Sequence, residues 1–342
     1  MKVLVTGAGG FVGGVVARML RARGDEVRTV ARGDYPDLTR LGCVHVRGDL
    51  AEPKVAQDAV AGTEAIIHVA AKAGVWGSAA DYEASNVTAT QNLLDAAVQH
   101  GLQRFVFTSS PSVTFDGGDA VHANESLPYP AKHLAHYPRT KAEAERRVLA
   151  ANGKNGLRTC ALRPHLVYGP GDPHLLPRLV KRAKAGKLAW IGAGNQVDVT
   201  YVDNAAHAHL LALDALAGAG ASTPLGMNGA GKAYFISQGT PVHPDAWVGA
   251  LLSAIGVPPV TRRVRLPVAY AAGAVMEAMW SLFGMKGEPM MTRFVAAQLG
   301  TSHHYDLTAA RRDLGYQLLV NDEEAHRRTV AWLQEELSAG RL

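Results

Sequence analysis

Tyr137 and Lys141 stand four residues apart in Tyr137-Pro138-Arg139-Thr140-Lys141. On a helix that spacing puts a phenol and an ammonium on one face, one turn apart. A phenol of ordinary pKa near 10 is a poor acid or base at neutral pH, and a neighbouring cation favours the phenolate and brings it towards working range. Upstream, Ser109, Ser110 and Ser112 follow the apolar run Arg104 to Thr108. A hydroxyl there can hold a carbonyl oxygen while Tyr137 delivers its proton. Tyr and Lys at this spacing also occur by chance, and serines after a strand can be plain turn residues. Position therefore carries the argument.

The position is set by the amino-terminal stretch Thr6-Gly7-Ala8-Gly9-Gly10-Phe11-Val12-Gly13, which follows Val3-Leu4-Val5 and opens into a helical pattern ending at Gly24. Strand, glycine turn and helix in that order make a dinucleotide site. Gly7 permits the sharp turn, Gly10 lets backbone approach a pyrophosphate, and Gly13 lets the helix pack close to the strand, with free N–H groups facing the phosphates. The second strand ends in Val30-Ala31-Arg32-Gly33. A basic residue there pairs a 2′-phosphate, so Arg32 favours NADP(H), while nearby Asp34 keeps NAD(H) as the second choice. Asp49-Leu50, after the third strand, fits the adenine edge or a helix cap.

Strands are expected at Glu26–Ala31, Val44–Val46, Ala65–Val69, Arg104–Thr108 and Thr159–Leu162, with helices at Ala80–His100 and Tyr137 to about Ala151. Alternating strands and helices imply a doubly wound parallel sheet with right-handed crossovers, a Rossmann-type α/β fold. The expected division is a dinucleotide-binding domain over 1–163 with a return segment at about 199–222. A smaller, mixed α/β carboxyl-terminal substrate-binding lid would take 164–198 and 223–342. At 342 residues the chain is long enough for about two domains.

Apolar residues make up 47% and charged residues 19%, which excludes a disordered or fibrous chain. The net charge of +5 is spread along the chain, which suits anionic ligands and argues against a nucleic-acid face. Cys43 and Cys160 lie in apolar contexts without metal-ligand spacing, as in a reducing cytoplasm. The first residues run directly into a core strand, so no signal peptide and a cytoplasmic location are expected. His133 and His136, His207 and His209, and His303 with His304 lack carboxylate or cysteine partners at metal-site spacing, and no metal is expected. The apolar segment Leu266 to Met285 would just span a bilayer. Gly273, Glu277 and Ser281 fall on one helical face opposite Val275, Met279 and Leu282, which predicts a half-buried lid helix, with membrane-surface contact second.

With these motifs in place the sequence resembles the extended short-chain dehydrogenase/reductases, in the branch of the 3β-hydroxysteroid dehydrogenases. The matching residues are the Gly7, Gly10, Gly13 loop, Asp49-Leu50, His68-Val69-Ala70-Ala71, Asn86 to Leu93, Thr108-Ser109-Ser110, Tyr137 to Lys141, Leu162-Arg163-Pro164, Val167 to Asp172 and Tyr201 to Asn204. The resemblance implies that Ser110 orients a carbonyl and that Tyr137 is the general acid. Lys141 would hold the nicotinamide ribose and lower the Tyr137 pKa, with Asn86 supporting the relay. Phe11, Val12, Ala70 and Ala71 would border the cofactor, and Pro164 and Val167 would line the nicotinamide pocket.

A narrower resemblance, to the bacterial 2-alkyl-3-oxoalkanoate reductases of long-chain olefin biosynthesis, rests on Ala71 to Ser78, Lys232 to Ser237, Gly287-Glu288-Pro289, Thr292-Arg293-Phe294 and Ala310 to Tyr316. It implies NADPH-dependent reduction of a β-keto acid with long alkyl chains, and an apolar lid suits such chains. Lys72 and His165 are then candidates to meet the substrate carboxylate. The resemblance departs at Ser110, where a threonine is expected, and leaves the carbonyl-holding hydroxyl open among Ser109, Ser110 and Ser112. It also implies a homodimer through the Ala80 and Tyr137 helices and association with other olefin-pathway enzymes. The competing readings are a 3β-hydroxysteroid-type dehydrogenase, a sugar-nucleotide epimerase or dehydratase, and a non-catalytic NADP(H) sensor.

Overall fold

The computed structural model describes residues 1–217 and 228–342. Seven parallel strands form the central sheet: β1 (Lys2–Thr6), β2 (Glu26–Ala31), β3 (Val44–Arg47), β4 (Ala65–His68), β5 (Arg104–Thr108), β6 (Arg158–Pro164) and β7 (Lys232–Ile236). Their order across the sheet is β7-β6-β5-β4-β1-β2-β3. The order in which strands are added therefore reverses between β1 and β4, and the crevice over that junction is where such sheets bind ligands.

Side chains alternate between two cores because strand residues point to opposite faces. Val3 and Val5 of β1, Val106 of β5 and Cys160 and Leu162 of β6 join α1 (Phe11–Arg23) and α5 (Val202–Ala215) on one face. Leu4, Phe105, Phe107 and Ala161 join α2 (Pro53–Val60), α3 (Ala89–Gln99) and α4 (His136–Ala150) on the other. Both sheet faces are buried, as an all-parallel sheet requires. Cys43 and Cys160 are free and buried within the first core.

A third apolar cluster, built from Leu176, Val180, Val248, Leu251, Leu252 and Leu333, lies off the sheet. The expected lid boundary at 222–223 falls outside the described residues. The assignment of everything beyond it to the lid needs correction. Lys232–Ile236 pairs in register with Cys160–Pro164 as the sheet's edge strand, and α7 (Thr308–Leu314) packs into the first core with it. The reason is burial: Tyr234, Phe235 and Ile236 are all but inaccessible and need a two-sided sheet position. Thr200–Tyr201, at the start of the return segment, pairs with Val167–Tyr168 in a separate two-stranded sheet, while the following α5 covers the main sheet.

The helix α6 (Leu266–Phe283) overturns another expectation. Its inward face is the small and polar one. A Cβ on Gly273 would lie 2.6 Å from the Thr292 carbonyl carbon, so the helix touches the 292–293 backbone there, and Glu277 binds both the Arg293 N–H and its guanidinium at 2.7 Å. Val275 is 60% exposed and Leu282 78% exposed. The apolar face predicted to be buried faces out, because only a glycine lets this helix approach its neighbour so closely.

Candidate active site

A cleft of about 950 Å³ runs over the carboxyl ends of β1 to β6. It begins at the glycine turn. Gly7 has φ +70, a left-handed conformation that favours glycine, and a Cβ on Gly13 would sit 2.2 Å from the Gly7 carbonyl oxygen. The first turn of α1 therefore rests directly on the strand exit. Its cap residue Gly10 has no side chain, the first turn carries no acidic group, and Gly10, Phe11, Val12 and Gly13 all border the cleft. A helix start of this kind presents N–H donors and a positive dipole end to an anion.

At the end over β2 and β3, Arg32, Asp49 and Leu50 line the cleft. The exposed Arg32 guanidinium stands 3.9 Å from the Asp49 carboxylate, a loose pair. Asp34 is turned away to Arg47 at 3.4 Å and does not border the cleft. Sequence reasoning missed Tyr35, whose ring lies over the glycine loop so closely that a Cβ on Gly9 would come within 2.2 Å of it. Its only sequence signal is an aromatic residue just past the Arg32 position.

At the other end Ser109, Ser110, Tyr137, Lys141, Pro164 and Val167 line the cleft, together with Ala70, Ala71 and Lys72. Burial raises the Tyr137 phenol above its ordinary pKa, and the neighbouring Ser110 hydroxyl pulls it back. The Ser110 hydroxyl is held in turn by Ser112, whose Oγ is 2.9 Å away and whose N–H donates to it at 3.3 Å. Ser112 is thus a support behind Ser110 and does not itself reach the cleft, which corrects its assignment to the substrate. The buried Ser109 hydroxyl has no hydrogen-bond partner among the described residues.

Lys141 lies a turn beyond Tyr137. Its ammonium donates to the Thr108 carbonyl oxygen and sits 4.0 Å from the Phe107 ring centroid. Burial brings its pKa down to about 7, with the Glu145 carboxylate working against the drop. Ser110 is the group that lowers the Tyr137 pKa here, and the Lys141 ammonium is directed at the end of β5. Glu145, one turn further on, forms a fully buried ion pair with Arg163 of β6 and accepts the Tyr129 hydroxyl at 2.6 Å. That pair pins α4 to the sheet, so the turn carrying Tyr137 and Lys141 is fixed against β5 and β6. The sequence signal was Arg163 itself, quoted for its motif and not for a partner.

Asn86 does not touch the cleft. Its Oδ1 accepts the Lys72 N–H at 2.7 Å, and its Nδ2 donates to the Lys72 carbonyl at 3.1 Å and to Thr140 Oγ1 at 3.0 Å. Both donors are spent inside the wall, so Asn86 positions the Lys72 loop and α4 and has no direct relay contact. It sits in a π-helical stretch, Glu83–Thr88, a geometry that concentrates at functional sites. A further chain of hydrogen bonds ties this stretch to the glycine loop. Thr6 Oγ1 accepts the Val69 and Ala70 N–H groups and so gives its own proton to His68 Nδ1 at 2.7 Å. His68 Nε2 then meets Thr90 at 3.0 Å, and Thr90 donates to the Asn86 carbonyl at 2.6 Å. The ring is neutral, since burial takes its pKa down to about 3.

Lys72 reaches Asp81 at 2.8 Å on the cleft wall. His165 does not reach it. The ring is enclosed by His303 and Tyr305, and burial holds its pKa well below the ordinary value. The turn after Pro164 points this side chain into the core, and the proposed carboxylate contact is withdrawn. Leu166, next along, borders the cleft with φ +41, an uncommon backbone for a branched side chain. Among the described residues no group of three or more His, Cys, Asp or Glu is placed to hold a metal ion.

A doubly wound sheet with a glycine cradle at its switch point and a Ser, Tyr and Lys set on the opposite wall defines an extended short-chain dehydrogenase/reductase. The chain matches the 3-beta hydroxysteroid dehydrogenase/isomerase family over residues 4–268 and belongs to it. Among individual proteins it is 47% identical to the 2-alkyl-3-oxoalkanoate reductase of Stenotrophomonas maltophilia (strain K279a), over 97% of this chain and 99% of that one. It is 45% identical to the protein of the same name from Shewanella oneidensis, over 96% and 85%. Of solved structures, gox2253 superposes with a TM-score of 0.79 at 27% identity, covering 99% of both chains. MoeE5, solved with UDP-glucose and NAD, superposes with a TM-score of 0.73 at 28% identity, over 98% of this chain and all of that one.

Proposed function

We propose that this protein is an NADPH-dependent reductase that converts a 2-alkyl-3-oxoalkanoate to the 2-alkyl-3-hydroxyalkanoate. The observation that carries the reading is the meeting of Ser110, Tyr137 and Lys141 on one wall of a cleft that starts at the glycine turn. The near full-length likeness to two 2-alkyl-3-oxoalkanoate reductases supplies the substrate class.

The cleft fits a dinucleotide. The α1 start would hold its pyrophosphate, Asp49 and Leu50 its adenine side, Arg32 the 2′-phosphate of NADP(H), and Pro164 and Val167 the nicotinamide. The bound cofactor supplies the hydride that reaches the ketone carbon. The Ser110 hydroxyl holds the carbonyl oxygen. As the carbon–oxygen π pair moves onto that oxygen, Tyr137 gives it the phenolic proton, and Tyr137 is reprotonated from water. Lys141 orients the ribose. Lys72 faces the substrate carboxylate once it exchanges Asp81 for it.

The test is a comparative assay of NADPH and NADH oxidation with a 2-alkyl-3-oxoalkanoate, a steroid ketone and a UDP-sugar. The first substrate with NADPH is expected to turn over fastest. Tyr137→Phe should keep cofactor binding and lose about two to four orders of magnitude in kcat. Equal turnover by that variant would overturn the mechanism, and preference for the steroid or the UDP-sugar would overturn the substrate.

A further inference from the structure

We infer that the outward face of α6 rests in the surface layer of an anionic lipid bilayer. The inference stands on the helix and its flanks and does not depend on the reductase reading. With Ala269, Gly273 and Glu277 turned inward, Val268, Val275, Met279 and Leu282 form one continuous stripe along the opposite face, extended by Phe283 and Met285. Only 11% of the helix is buried. Scattered exposed apolar residues need no explanation, but a contiguous stripe along one helix face marks a contact.

The charges around the stripe select the partner. Arg262, Arg263 and Arg265 precede the helix and Lys286 follows it, all exposed. Arg262, Arg265 and Lys286 have no ion-pair partner among the described residues, and Arg263 pairs with Asp245. The only acidic residues between 262 and 290 are already neutralised, Glu277 by Arg293 at 2.7 Å and Glu288 by Arg178 at 3.4 Å. An apolar stripe ringed by unpaired cations matches a surface of acyl chains and anionic headgroups. A second copy of this chain fits worse. Antiparallel pairing would bring the arginine group of one copy against Lys286 of the other, and parallel pairing would oppose the two arginine groups.

The helix lies on the bilayer and does not cross it. At 18 residues it is about 27 Å long, just short of a hydrocarbon core. Its inner face is bonded to the 292–293 segment, which leaves one side free for lipid. The position also concerns the cleft, because Glu288 lies against Gly74, two residues from Lys72 on the cleft wall. Docking would bring that wall close to the headgroups.

Flotation of the full-length protein with vesicles decides the matter, and no substrate is needed, so its outcome is separate from that of the reductase assay. Binding is expected to phosphatidylcholine vesicles containing a third phosphatidylserine, to weaken with added salt, and to be much poorer on phosphatidylcholine alone. Leu282→Glu should lower vesicle binding about tenfold or more, and Arg265→Ala about fivefold. Both sites are exposed, so thermal midpoints matching the parent certify the fold. Absence of binding to either vesicle, binding untouched by Leu282→Glu, or a Leu282→Glu effect confined to self-association would each overturn the inference.

Discussion

The Lys141 ammonium is hydrogen-bonded to the carbonyl oxygen of Thr108, the last residue of β5. Burial leaves the amine with a pKa of about 7, so it carries its proton below that pH and loses it above. On the proposed reading it is the charged form of Lys141 that holds the nicotinamide ribose. Cofactor affinity should therefore be greatest on the acid side of 7 and decline as pH rises. Titration of NADPH binding across neutral pH checks this; a flat parent profile would count against it, and Lys141→Met should bind more weakly and lose the pH dependence.

Among the described residues Arg32 is held only by Asp49 at 3.9 Å, and it is open to the cleft. A charge-assisted hydrogen bond to a phosphate contributes about 1.5–3 kcal/mol, so Arg32→Gln should raise KM for NADPH about tenfold or more and leave NADH nearly unchanged. Equal effects on both cofactors would move the 2′-phosphate contact to another residue.

Gly273→Ala pits two effects against each other. Alanine gains about 0.8–1 kcal/mol of helix propensity over glycine. Its Cβ would meet the Thr292 and Arg293 backbone at 2.6 and 2.7 Å, and overpacking of that kind costs about 1–3 kcal/mol. Net destabilisation is expected, seen as a lower urea midpoint at unchanged slope. A stabilised variant would mean that the α6 contact yields easily.

Four buried histidines make the fold sensitive to acid. Burial takes the His68 pKa down to about 3 and those of His209 and His303 down to about 4, with His165 also well below the ordinary value. Below about pH 6.5 the unfolded chain binds protons that these rings refuse, so stability falls as pH falls, by up to about 1.4 kcal/mol per pH unit for each histidine. Urea midpoints between neutrality and about pH 5 should drop in the parent and drop less in a His209→Gln variant. Identical slopes would show that His209 does not contribute.

The sequence by itself determined the alternation of the first six strands with their helices, the glycine turn, and the spacing of Tyr137 and Lys141 downstream of the Ser110 turn, but not the seventh strand, Lys232–Ile236. Those features follow from local rules: continuous apolar runs in β1 and β5, left-handed glycines at Gly24 and Gly101 closing helices, and the single turn between Tyr137 and Lys141. Tertiary structure alone decided which surfaces were covered. Nothing within Leu266–Phe283 says that the backbone at Thr292 will seek out Gly273, so the larger stripe looked like the buried one. His165 gave no sign of His303 and Tyr305 closing around it from more than a hundred residues away, and Asn86 no sign that Lys72 and Thr140 would consume its amide. Each depended on partners distant in sequence, and burial and hydrogen bonding are properties of the meeting of segments, not of the segments themselves.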